Sequence, residues 1–414
     1  MENDFKMEES IIRCWSVYVP DEAGEEVAKT LKSKWLNTGK KEAEFRAKVR
    51  ARFKAPYAAA CMSGTAALKI ALKALDVGPG DEVVSTPFTF IATNTSILEI
   101  GATPVFADIQ YDTLNIDPKS VEEKITDKTK AIMCVHYAGN PVDMDELREV
   151  ADRHGLPIIE DSAHAMACEY KGQPIGSFGD VATFSFQCVK IVTCGDGGVI
   201  TTTDEALYKK IRKQSWYGID REVKKTSILD PLPVPPDGLG FKSNMNDITA
   251  TLASVAMDHL DRVLEHRREI GERYRRELGG LTKVTLLNYQ DHWTPNYQIF
   301  PIHVENREEF AHYMWDRNIQ VNVNNRRNDI YEMFGGLCDL PNLKRADELN
   351  LSYEDIKELS DKEAYRLFFP ERYQSEVLYT LPEYDKIHKE LQSVGVTLKL
   401  LWQEYVDQCN DTNG

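Results

Sequence analysis

From Ala55 to about Thr203 the chain alternates between short apolar runs and amphipathic stretches. Runs rich in Val, Ile and Phe at 82–86, 104–109, 131–137, 157–160, 181–186 and 198–203 read as strands. Between them, apolar residues recur at helical spacing over 65–75, 90–100 and 143–154. Strands that alternate with helices in this way imply a mostly parallel sheet covered on both faces. Upstream, 21–34 and 41–53 also carry helical spacing, separated by the turn-like NTGK at 37–40. Downstream, the Pro-rich 222–240 reads as an irregular loop. A long helical stretch follows over roughly 246–277, with apolar residues at Ile248, Leu252, Val255, Leu260 and Leu264. A strand at 297–304, a helix at 306–317, a strand at 319–323 and a helix near 384–394 complete the pattern.

The predicted class is therefore α/β. A large domain over 1–250 has its central sheet in an α/β/α sandwich, a connector helix spans 251–279, and a smaller α+β domain fills 280–414. A length of 414 residues, 42% of them hydrophobic, exceeds the usual size of a single core and accommodates this division. The net charge of −16 argues against non-specific binding to nucleic acid or an anionic membrane, while leaving room for a local basic cleft. Eight cysteines are scattered with no CxxC pair and no zinc-ligand spacing, so neither a metal site nor a disulfide framework is expected. The acidic MENDFKMEES start does not resemble a signal peptide, and no run approaches a membrane span. The expectation is a soluble cytoplasmic protein.

The chemistry concentrates in Pro157–Thr203. A carboxylate, Asp161, closes an apolar run, and His164 follows. An alternating run then ends in Ser185, with Lys190 and the Gly-rich GDGG (195–198) beyond it. Ligands of parallel sheets gather at the carboxyl ends of the strands, where Asp161 and the segment after Phe186 lie. Pyridoxal phosphate (PLP) asks four things of a protein: an amine, an anion opposite its pyridine nitrogen, a surface against its ring and a nest for its phosphate. Lys190 and Asp161 match the first two. Phe90, in TPFTFIATN, offers a ring surface. Ser63-Gly64-Thr65-Ala66-Ala67 opens a helix whose free N–H groups can hold an anion, and the Ser185 hydroxyl can join them. Each residue also has an ordinary reading alone: Asp161 as a helix N-cap, Lys190 as a surface lysine, Phe90 as a core aromatic, and GDGG as a hairpin turn.

Together, in this order, the pieces resemble the nucleotide-sugar aminotransferases of the DegT type, a branch of the fold type I PLP enzymes that share the aspartate aminotransferase-like fold. The matching text is SGTAALKIAL (63–72), DEVVSTPFTFIAT (81–93), GATPVFADI (101–109), EDSAHA (160–165), SFQCVKIVTCGDGGVITT (185–202) and GFKSNMNDITA (240–250). The resemblance implies that Lys190 is the Schiff-base lysine and that Asp161 faces the pyridine nitrogen. It puts His164 beside the ring hydroxyl, Phe90 against the ring, and Gly64, Thr65 and Ser185 on the phosphate. It has Asn244 reach the phosphate of a second subunit, making the enzyme a homodimer with shared sites. It further implies PLP and its pyridoxamine 5'-phosphate form as cofactor, glutamate and 2-oxoglutarate as the donor pair, and a nucleotide-linked keto-sugar as acceptor.

The chain departs from that pattern at 320–336 (QVNVNNRRNDIYEMFGG), where a histidine-bearing segment is expected and none stands. Arg326 and Arg327 are candidates there for a diphosphate or a donor carboxylate. The charged 337–368 segment is longer than the resemblance leads one to expect. A PLP-dependent sugar dehydratase of the same fold and a silent PLP-binding homologue are the rival readings. An NAD enzyme is disfavoured, because no GxGxxG follows the first strand.

Overall fold

The computed structural model describes residues 11–221, 223, 236, 238–323 and 325–335. The anticipated helix at 384–394, the segment 337–368 and most of the 222–240 loop lie outside these residues. By contacts the chain divides into two units, Met1–Asp329 and Ile330–Gly414. The first contains everything discussed below.

Its centre is a seven-stranded sheet. The strands are β1 (Tyr57–Cys61), β2 (Glu82–Ser85), β3 (Thr103–Phe106), β4 (Thr129–Val135), β5 (Ile158–Asp161), β6 (Val181–Ser185) and β7 (Gly198–Thr202). Their spatial order is β1-β7-β6-β5-β4-β2-β3, parallel throughout except for β7, which runs against both of its neighbours. The expected α/β class with a mostly parallel sheet is what the chain adopts. Strand β1 escaped the sequence reading because its residues, YAAAC, are chiefly alanines with little strand propensity. They form a strand because pairing with β7 buries them.

Both faces of the sheet are covered, and the side-chain alternation of the strands shows how. After the N-terminal helices α1 (Ala23–Ser33) and α2 (Lys40–Phe53) comes α3 (Gly64–Ala74), with which Met133, Ile159, Val181 and Ile200 join a core, whereas Ile132, Cys134 and Ile158 join another with the Met144–His154 helix. The Ile91–Glu99 helix is set against α3 on the same side.

The helical stretch predicted over 246–277 is two helices, Asp247–Asp258 and Leu260–Leu278, meeting at His259. The first of them buries Ala250, Ala253 and Ala256 against the two N-terminal helices Ala23–Ser33 and Lys40–Phe53, while Ile248, Leu252 and Val255 stay half-exposed. Small side chains let the helix axes approach, so they take the inner face. The predicted strand at 297–304 shrinks to Ile302–Val304, which pairs with the three residues Val284–Leu286, and Tyr297 at its expected start takes a left-handed backbone (φ +50°) instead. The 319–323 segment forms a single bridge, Ile12 to Ile319, rather than a strand. The helix expected at 306–317 is Arg307–Trp315. No described helix is long and apolar enough to cross a membrane.

Candidate active site

Strand register decides what meets at the carboxyl end of the sheet. Asp161 lies two residues beyond Ile159 and shares its face. There the Thr93 hydroxyl, from the Ile91–Glu99 helix, donates to Asp161 Oδ2 (2.8 Å), and the Ala163 N–H donates to Oδ1 (3.2 Å). No described helix starts after Asp161, so it is not the N-cap that its position in the sequence suggested. It is only 5% exposed. Burial pushes its carboxyl above the usual range, against the opposing pull of Thr93, Ala163 and the Lys190 charge. A buried carboxylate in this state favours a cationic partner.

Glu160, on the opposite face of β5, is sealed in. The Val142 N–H donates to His136 Nδ1 (3.0 Å), so the proton of the neutral imidazole sits on Nε2 and is given to Glu160 Oε2 (3.0 Å). The N–H groups of Gly176, Phe178 and Gly179 also donate to the Glu160 carboxylate. Burial alone would raise this carboxyl; the donations from His136 and the backbone outweigh it and hold it below its ordinary value.

Lys190 sits in the connection between β6 and β7, which Phe186 N–H closes on Gly197 O (2.8 Å). It is a partly buried lysine, not a surface one. Among the described residues its Nζ has no hydrogen bond or ion pair. Desolvation lowers its pKa from 10.5 to about 8, against the attraction of Asp161. His164 is held neutral, first by burial and then by the Lys190 charge, and its Nδ1 is buried with no partner among the described residues.

Ser185 pairs with Gly198, and Gly198 with Cys61, which brings the end of β6 beside the chain leaving β1 for α3. Ser63 caps α3 by accepting from Ala66 N–H (3.1 Å), leaving the N–H groups of Gly64 and Thr65 at the helix start. A Cβ on Gly64 would lie 2.8 Å from Ser185 Cβ and 3.1 Å from its Oγ, so the cradle requires glycine. Phe90 is 60% exposed, which removes the core reading and leaves its ring face available.

Three sequence candidates lie apart from this cluster. Asn244 bridges Cys61 through the backbone, but its side chain donates to Thr38 Oγ1 (2.7 Å) and accepts from Lys242 Nζ (2.6 Å). Within its own chain it makes no bond to Gly64, Thr65 or Ser185. Arg326 and Arg327 are exposed beside the Phe90 loop, held there by the buried Asn328. Asn328 donates to Thr89 O (3.0 Å) and Pro87 O (2.7 Å), from its side chain and backbone respectively, and accepts from Asn94 (2.8 Å). Arg327 pairs with Asp329; Arg326 O accepts from the Asn328 side chain (3.3 Å), and the Arg326 guanidinium has no partner among the described residues.

Residues that the sequence reading passed over include Thr93, which lies inside the quoted 81–93 text, and Asn296 and Gln298. No local signal marks the latter two, because the partners that tie them to the site, Met166 and Ile191, are more than a hundred residues away.

Residues 19–350 match the DegT/DnrJ/EryC1/StrS aminotransferase family. The chain is 43% identical over 251 residues to the spore coat polysaccharide biosynthesis protein SpsC of Bacillus subtilis, a match that spans 60% of this chain and 64% of SpsC. It is 37% identical over 276 residues to the UDP-4-amino-4-deoxy-L-arabinose–oxoglutarate aminotransferase of Shewanella sediminis, over 64% of this chain and 69% of that enzyme. Among solved structures it resembles the sugar aminotransferase CalS13 of Micromonospora echinospora, with a TM-score of 0.75, 30% identity, and 86% and 98% of the two chains covered. Spr1654 of Streptococcus pneumoniae in its PLP form gives a TM-score of 0.73 at 28% identity, over 89% and 100% of the chains. The chain thus belongs to the DegT/DnrJ/EryC1/StrS aminotransferase family, and its fold is that of the family's sugar aminotransferases.

Proposed function

We propose that this protein is a PLP-dependent aminotransferase that moves an amino group from glutamate to a nucleotide-linked keto-sugar, in the making of amino sugars for polysaccharides or glycosylated metabolites. The observation that carries this reading is the meeting of Lys190, Asp161, His164 and the Gly64–Ser185 cradle at the carboxyl end of the parallel strands. The residues fit the cofactor. The buried Asp161 favours a cation, which a protonated pyridine nitrogen provides. His164 Nδ1, buried with no partner among the described residues, can bond the ring hydroxyl. Phe90 offers its exposed face to the ring, and Gly64, Thr65 and Ser185 offer donors to the phosphate.

Bound PLP supplies an electron sink for the bond broken at the donor's α-carbon. The chain's residues do the rest. A lysine with a pKa of about 8 is neutral in a useful fraction at working pH. Lys190 would thus take the proton from the donor's α-carbon and pass it to the cofactor's C4′ carbon within the same half-reaction, and run that transfer in reverse for the acceptor. Asp161 holds the positive charge opposite it, and the packing of Thr93 keeps that carboxylate aimed. Arg326, exposed and with no counter-ion among the described residues, suits the diphosphate of the acceptor or the donor's carboxylate. Asn244 makes no bond to the cradle of its own chain, which supports its serving the site of a second subunit in a homodimer. Exposed apolar residues at Ile11, Ile12, Trp15, Trp35 and Leu36 offer surface for that association.

The purified protein is expected to be yellow and to bleach with borohydride, and glutamate should convert the band to that of the pyridoxamine form. A screen of nucleotide-linked keto-sugars read by mass spectrometry then identifies the acceptor. Lys190→Ala should lose both colour change and turnover; retained turnover, or a yellow wild-type protein that ignores every amino donor, refutes the proposal.

A further inference from the structure

Lys190 Nζ has no hydrogen bond of its own among the described residues, so the direction of its side chain depends on the backbone beneath it. Both peptide bonds that flank Lys190 are held by one side chain from far along the sequence. Gln298 Nε2 donates to Val189 O (2.9 Å), and the Ile191 N–H donates to Gln298 Oε1 (3.1 Å). One primary amide thus satisfies an acceptor before the lysine and a donor after it, as a paired strand does. Backbone torsions on both sides of Lys190 are restrained together.

What holds Gln298 is equally specific. The Gln298 N–H donates to Asn296 Oδ1 (2.8 Å), and Asn296 is fully buried, giving its own amide to His164 O (3.0 Å) and Met166 O (2.8 Å). Tyr297 stands between them with φ +50°, a left-handed conformation that a residue of this kind holds only where its surroundings enforce it. Here the enforcement is visible. The Tyr297 ring lies so close to the Leu260–Leu278 helix that a Cβ on Gly271 would be 2.4 Å from it, and the Tyr297 hydroxyl donates to Glu272. Arg267 donates to the carbonyls of Tyr297 and Gln298 (3.4 Å each), and Arg268 to Pro295 O (3.2 Å).

We infer that Asn296-Tyr297-Gln298 is a clamp that fixes the backbone bearing His164 and Lys190, with Gln298 a positioning residue for the Lys190 amine. This rests on the role proposed above for Lys190. A reacting group displaced by about 1 Å loses on the order of a hundredfold in rate. The clamp therefore acts on turnover and on the proton affinity of the lysine, and leaves donor binding largely untouched.

The test compares holoenzymes of wild type, Gln298→Met and Gln298→Ala. Methionine keeps the length of the side chain and removes both hydrogen bonds. The clamp predicts that Q298M lowers kcat by about 10- to 100-fold, while KM for glutamate stays within about threefold. It also predicts that the pH midpoint of the borohydride-sensitive visible band moves, with the thermal midpoint nearly unchanged. A Q298M enzyme with wild-type kcat and wild-type band titration overturns the inference. So does a pair of variants that fail to fold or lose activity only in proportion to lost fold, since that marks Gln298 as a structural residue. If the wild-type protein shows no band dependent on Lys190, the proposed function falls and the clamp falls with it; a normal wild-type band beside an unaffected Q298M sinks the clamp alone.

Discussion

The lowered proton affinity of Lys190 makes a prediction about stability that needs no substrate. In the cofactor-free protein the amine titrates at about 8 rather than 10.5, because burial penalises its charge more than Asp161 compensates. The folded state therefore holds this proton less tightly than the unfolded chain does. At pH 7 both states are protonated and the fold bears the whole penalty, about 3 kcal/mol at roughly 1.4 kcal/mol per decade. As pH rises through 8 the folded state releases the proton and the penalty shrinks, reaching zero once the unfolded chain also deprotonates above 10.5. The figure is a ceiling, since water at the partly exposed side chain screens the charge. Lys190→Met removes the charge and keeps an unbranched side chain of similar reach. Urea unfolding of the stripped proteins, followed by circular dichroism at pH 7, 8.5 and 10, should show the variant more stable at pH 7 by up to about 3 kcal/mol, with the difference fading toward pH 10. A variant that is less stable at pH 7, or whose advantage is the same at pH 10, refutes the claim that the Lys190 charge is desolvated.

Three further outcomes test the cradle and the buried carboxylate beside it. Gly64→Ala forces a methyl group against Ser185, so α3 must back away from the cradle. Losing one charge-assisted donor costs about 1.5–3 kcal/mol, so PLP affinity by absorbance titration should fall about tenfold or more, and the forced contact should lower the stability of the free protein by about 1–3 kcal/mol as well. Glu160→Ala leaves His136 and three backbone N–H groups buried without an acceptor, and should cost about 3–5 kcal/mol by chemical denaturation. Glu160 is held below its ordinary value, so its contribution is full above the usual carboxylate range and is lost as pH falls through the depressed one. Melting of Glu160→Gln between pH 7 and 4 should accordingly fall less steeply than that of the wild type.

Local periodicity carried the class of the protein and the approximate position of six of the seven central strands, because a buried strand and an amphipathic helix each impose a repeat on neighbouring residues. It also carried the idea that Asp161 and Lys190 stand at strand ends, where parallel sheets bind ligands. It failed where packing overrides propensity. Alanine-rich β1 becomes a strand through its pairing with β7, and Tyr297 is bent into a left-handed turn by Gly271 and Glu272. The order of the strands, which sets Ser185 beside Gly64, was not legible either. Nor were the contacts that give each candidate its state: Thr93 on Asp161, His136 on Glu160, Asn328 on the Phe90 loop and Gln298 across Lys190. These bonds join residues tens to hundreds of positions apart, and a short-range pattern records which face of an element is buried, but not which side chain arrives to bury it. The candidates for the amine, the carboxylate and the cradle were therefore legible in the sequence. Only the tertiary structure decided how dry each one is, and so which proton it holds.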